Sequence, residues 1–82
     1  METSTEYKNT DFYLSCCILA AGLSLKRLEP GSTGTHFIFV FDDPQNRAEQ
    51  IIADHWNRKL LLSSRDLIES INELKTRIHQ GI

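Results

Sequence analysis

Little in this 82-residue chain is in excess, and each shortage removes a class of function. Its two cysteines are adjacent, Cys16-Cys17, with neither CxxC spacing nor a histidine cluster beside them. That excludes a zinc ribbon and a disulfide framework, and it points to a reducing, cytoplasmic setting. Consecutive side chains on a helix diverge by about 100°, so the pair does not bridge and reads as small buried apolar groups. The longest apolar run covers only residues 16–21, far short of the roughly 20 residues a membrane-spanning helix needs. No export signal stands at the start, where residues 1–9 are polar and acidic apart from Tyr7 and the initiating Met1. Charge of one sign is also lacking. Nine Lys and Arg against eleven Asp and Glu leave a net charge of −2, so no overall field draws the chain to nucleic acid or anionic membrane, and such binding would need a local patch. With two prolines, four glycines and no repeat or low-complexity tract, nothing divides the chain. Residues 1–9 read as a flexible leader that orders on binding, and residues 10–82 as one compact domain.

What is present begins with an aromatic strand. Residues 35–41, THFIFVF, place Phe37, Phe39 and Phe41 on one face and His36, Ile38 and Val40 on the other, because strand side chains alternate. A strand apolar on both sides reads as central and covered on both faces. Before it, Thr10 is the expected N-cap and Asp11 a first-turn carboxylate for a helix running to Ala21. Phe12, Cys16 and Leu19 form its stripe, with Leu14, Ile18 and Ala21 beside it, and Gly22 suits the left-handed position after a helix. Alternation from Leu23 to Arg27 then reads as a strand, and residues 30–34, PGSTG, as a hairpin loop.

Asp43 before Pro44 predicts a capped helix start with proline in its first turn. That helix runs to about Arg58, with Ala48, Ile51, Ile52, His55 and Trp56 as its apolar stripe against the sheet. Leu60, Leu61 and Leu62 are inside either as a brief third strand or as a buried linker. Ser63 and Asp66 resemble a capping box for a last helix that carries Leu67, Ile71, Leu74 and Ile78 on one stripe, with Glu73 and Arg77 paired four residues apart. The expected fold is therefore α+β: a small antiparallel hairpin, with or without the short third strand, packed by three helices in the order α-β-β-α-(β)-α.

Few residues suggest chemistry. Phe39-Val40-Phe41 matches only the middle of the aromatic motif by which RNA-binding sheets stack bases, without its leading basic residue and glycine, so core packing is the reading adopted. His36, His55 and His79 fall on separate elements, and no HxxxH pair or nucleophile elbow exists. Asp42-Asp43 before Pro44 reads as a cap rather than a cation site, and residues 31–34 lack the lysine of a phosphate loop. No cofactor, metal or catalytic group is assigned. Arg58, Lys59 and Arg65 form the one local excess of positive charge, with no acid between Asp54 and Asp66. With the hydroxyls of Ser63 and Ser64 and the free amides of a helix start, they could hold an anion or nucleic acid. The plainer alternative is that Arg58 and Lys59 are solvated and stabilise the C-terminus of their own helix. Leu25, Lys26 and Arg27, on an edge strand, offer unpaired backbone to a second chain, although charged residues there commonly discourage such pairing.

Thr10-Asp11-Phe12-Tyr13-Leu14, Ala21-Gly22-Leu23, Phe37 to Asp42, Trp56-Asn57 and Leu74-Lys75 resemble a family of small uncharacterised prokaryotic and phage domains, over about residues 10–78. The resemblance implies a bacterial, phage or mobile-element origin and supplies no catalytic residues. The expectation is a non-enzymatic cytoplasmic interaction module that binds a protein partner or self-associates, for instance as an accessory or inhibitor protein. Binding of nucleic acid through the basic patch is the alternative.

Overall fold

A computed structural model describes residues 5–31 and 37–80. In chain order the elements are β1 (Glu6–Asn9), α1 (Phe12–Ala20), β2 (Ser24–Pro30), β3 (Phe37–Asp42), α2 (Ala48–Trp56) and α3 (Ser64–Gln80). Three helices and a small antiparallel sheet make the fold α+β, as the sequence predicts, but the third strand comes from the other end of the chain. The sheet order is β1-β3-β2. Residues 6–9 of the expected leader are β1, and residues 60–62 belong to no strand. The reason is long-range: Tyr7 lies opposite Phe41 and packs against the core, a partnership that no local propensity in a four-residue strand announces.

The phenylalanine strand is central, as its apolar character requires. In both pairings directly opposed residues share a face. Phe41 therefore sits between Tyr7 and Leu25, and Phe39 between Asn9 and Leu28. This face meets the helices, and Phe39 and Phe41 join Cys16, Ile18, Leu23, Leu28, Ala48, Ile51 and Leu74 in one buried cluster. All three helices contribute to that one cluster, and Val40 on the opposite face is also fully buried, so the strand is covered on both faces, by helices on one of them. Thr35 and His36 of the expected strand, with the loop residues 32–34, lie outside the described residues.

Local chemistry explains the element ends, with three corrections. Asp11, not Thr10, caps α1: its Oδ1 accepts the Leu14 amide at 2.9 Å. Gly22 does take a left-handed backbone, at φ 112°, where a side chain would be strained. Asp43 is not the N-cap residue of α2, which is Arg47, but it serves the helix start from four residues before it, its two carboxylate oxygens accepting the Arg47 and Ala48 amides at 2.7 and 3.0 Å. Pro44 occupies a turn closed by Asn46 N–H to the Asp43 carbonyl, so α2 begins at Ala48 rather than at the proline. The α2 stripe packs through Ala48, Ile51 and Ile52, whereas Trp56 is 68% exposed. It stands some 80° from Ala48 around the helix and in its last turn, past the edge of the sheet-facing stripe. Leu60 packs on the core but Leu61 is 91% exposed, so the leucine run is not uniformly inside. Ser63 Oγ accepts the Asp66 amide at 3.4 Å at the start of α3. Among the described residues Glu73 and Arg77 form no ion pair; Arg65 and Glu69, also four apart, do, at 3.3 Å.

Candidate functional site

Two surfaces hold the residues singled out from sequence, and they differ in kind. The first is the sheet face turned away from the helices. Val40 there lies between Lys8 and Arg27, Asp42 between Glu6 and Ser24, and Ile38 beside Glu29. Between Leu25 and Arg27 the register slips by one residue, a bulge at Lys26. The bulge puts Lys26 and Arg27 on the same outer side and returns Leu28 to the core. The break in alternation from Leu25 to Leu28 is its signature in the sequence. From these positions the side chains reach across β3. Arg27 holds Glu6 in a bidentate pair at 3.0 and 3.1 Å and Glu29 through Nε at 2.8 Å. Lys26 donates to Glu6 at 3.0 Å, and Lys8 lies 3.4 Å from Glu29.

These contacts set the electrostatics of the face. Hydrogen bonds from Arg27 and then Lys26 lower the Glu6 carboxyl from its ordinary 4.5 to about 2. Glu29 is lowered as well, chiefly by its bond from Arg27, and Arg27 is raised by its bonds to Glu6 and then Glu29. On this face Val40 is completely buried although it lies outside the cluster that the helices pack. The aliphatic stems of Lys and Arg shield it while their charged heads stay wet. Leu25, Lys26 and Arg27 thus lie on an edge strand, as expected, with the two cations tied back to their own sheet and the edge bulged. Both features disfavour addition of another strand.

The second surface is the corner where α2 ends and α3 begins. Arg58 takes a left-handed conformation at φ 60°, and its amide donates to the His55 carbonyl while those of Lys59 and Leu60 donate to the Asp54 carbonyl. These bonds satisfy the last carbonyls of α2 and throw the chain outward. Arg58, Lys59, Ser63, Ser64 and Arg65 are all exposed and the corner brings them together in one stretch of surface. Only part of the expected anion cradle is available, because Ser63 Oγ already serves the Asp66 amide and Arg65 already pairs with Glu69. Arg58 and Lys59 have no carboxylate within 4.0 Å among the described residues.

Two apolar members of this corner were expected inside, Trp56 from the periodicity of its helix and Leu61 as part of the leucine run. Trp56, edge-on to the His55 ring at 5.0 Å, and Leu61 project into solvent, and Ile68 on the first turns of α3 is 58% exposed. The signal that could have found them is positional: a tryptophan in the last turn of its helix and a middle leucine in a connection that has no strand partner.

Elsewhere, the cysteines are free, Cys16 buried and Cys17 half-buried. Burial first, then the neighbouring Cys17, pushes the Cys16 thiol up to about 11, and burial raises Cys17 too. A reactive cysteine requires the opposite shift. Among the described residues no group of three or more His, Cys, Asp or Glu is placed to hold a metal, and no helix is long and apolar enough to cross a membrane. A shallow groove of about 210 Å³ lies between the end of α1 and the first half of α3, lined by Leu19, Ala20, Asp66, Glu69, Ser70 and Glu73. That is below the roughly 300–1,000 Å³ of small-molecule sites, so it suits a side chain better than a cofactor.

Comparison with family models finds no match, and comparisons with curated proteins and with solved structures find none at the level sought.

Proposed function

We propose that this chain is a non-enzymatic interaction module that works inside the cell by binding a protein through the corner between α2 and α3. The observation that carries the reading is the exposure of Trp56 and Leu61 beside Arg58 and Lys59. Large apolar side chains in water gain by burial, at about 25 cal/mol per Å², and tryptophan with arginine is the pairing enriched where binding energy concentrates. The resemblance to prokaryotic and phage domains makes a bacterial host or phage complex the place to seek the partner, in the manner of an accessory or inhibitor subunit.

The test is a comparison of affinity captures from a bacterial lysate by the wild-type chain and by the double substitution Trp56→Ala, Leu61→Ser. Proteins retained by the first and lost by the second support the reading; identical captures overturn it.

Nucleic acid is the second reading, favoured by one observation: Arg58 and Lys59, without a carboxylate partner among the described residues, adjoin an exposed indole on which a base could stack. Against it stand the net charge of −2 and the engagement of Arg65 by Glu69. Fluorescence polarisation with single-stranded and duplex DNA and RNA decides it. Salt-sensitive binding lost on changing Arg58, Lys59 and Arg65 to alanine would establish this reading, and absence of binding at low salt would remove it.

A further inference from the structure

Resting on the protein-binding reading, we propose that the occupant of the corner is a second copy of this chain, seated with its acidic groove on the first copy's Trp56 and Leu61. The argument is complementarity within one molecule. The corner offers two exposed apolar side chains flanked by Arg58 and Lys59, cations without a partner among the described residues. The groove offers the inverse: an apolar floor from Leu19 and Ala20, and a rim of Asp66, Glu69 and Glu73. Their spacing of three and four residues sets all three carboxylates on one flank of α3. The groove also lies at the C-terminal end of α1, where the helix dipole adds partial negative charge.

Size and position support the same occupant. A volume of about 210 Å³ accepts one or two side chains and little more. The groove lining includes none of Trp56, Arg58, Lys59 and Leu61, and in the proposed dimer two copies related by a two-fold axis exchange both contacts. Each then places its corner in the other's groove, with Arg58 and Lys59 facing Asp66 and Glu73 while Glu69 keeps its own Arg65. The contact is small and ionic at its rim, which makes it concentration-dependent and sensitive to salt.

Light scattering on the full chain tests this directly. At low salt and rising concentration the mass should climb from 9.4 kDa towards twice that value, and it should fall back when salt is raised to about 1 M, where the screening length shrinks to about 3 Å. The single tryptophan reports the same event as a blue shift of its emission on association. Two charge-reversed chains provide the decisive comparison. Arg58→Glu with Lys59→Glu carries an acidic corner and an acidic groove; Glu69→Lys with Glu73→Lys carries a basic corner and a basic groove. Each alone should be monomeric, and circular dichroism confirms that each is folded. Their equimolar mixture should regain the dimer mass, because each corner again meets a groove of opposite charge. A wild-type chain that remains monomeric at millimolar concentration and low salt overturns the proposal, as does a mixture that stays monomeric. If the wild type is monomeric while the capture comparison still depends on Trp56 and Leu61, self-docking fails and the binding module stands. If neither effect is seen, both fail.

Discussion

The two faces of the sheet bury their central residues equally well by different means. Phe41 and Val40 are neighbours on β3 and both are fully inaccessible. Phe41 lies in the cluster packed by the helices; Val40 lies outside that cluster, between Lys8 and Arg27, in a face whose cations Lys8, Lys26 and Arg27 are tied to Glu6 and Glu29. Complete burial therefore does not demand a second layer of secondary structure. On this face charged side chains from two edge strands serve instead, and the same side chains guard those edges.

The sharpest way to separate the faces is to remove one side chain from each. Phe41→Ala should cost about 3–5 kcal/mol, since it empties the centre of the helix-covered core. For 82 residues total stability is on the order of 4–12 kcal/mol, so this variant should lose a quarter or more of its stability, read as a fall in the urea midpoint. Val40→Ala should cost less, about 1.5–2.5 kcal/mol, because fewer groups are lost and the mobile ionic cover can settle over the gap. Equal losses at the two positions would show that the lattice packs as rigidly as the helices.

Ser15→Ala probes the helix-covered side with the opposite sign. Ser15 is fully buried in α1 and its Oγ has no hydrogen-bond partner among the described residues. Removing that hydroxyl should raise stability by about 0.5–1.5 kcal/mol in thermal or urea unfolding. A loss on this substitution would mean that the hydroxyl is satisfied.

On the open face the expected effect is smaller and depends on acid. Glu6 is depressed from 4.5 to about 2 in the folded chain. Its contribution is therefore fully present above the unfolded value and is lost as pH falls from about 4.5 to 2. Unfolding followed against pH should show that loss in the wild type and lack its Glu6 component in Glu6→Gln, whose stability at neutral pH should lie close to that of the wild type, as for exposed pairs generally. Identical acid profiles for the two chains would detach the lattice from stability.

The corner between α2 and α3 makes a further contrast with the sheet. Its exposed Trp56 and Leu61 bear little on the fold and carry the proposed function, whereas Phe39 and Phe41 carry the fold and touch nothing outside it.

Local chemistry in the sequence determined much of this protein. Alternation made residues 37–41 a central strand, helical periodicity picked out Leu67, Ile71, Leu74 and Ile78, and Asp43 and Gly22 were readable as helix-start carboxylate and left-handed turn, because each of these depends on neighbours within four residues. Arg58, Lys59, Ser63, Ser64 and Arg65 were legible as a patch for the same reason. The tertiary structure alone decided the rest. Glu6–Asn9 became a strand because β3 was there to pair with it, and Trp56 and Leu61 were left in water because the core ended before it reached them. Lys8, Lys26, Arg27, Glu6 and Glu29 became the cover of Val40 only when the strands β1 and β2 were set on either side of it. Burial and cross-strand pairing are properties of distant chain segments brought together, and no local pattern encodes which segments those will be.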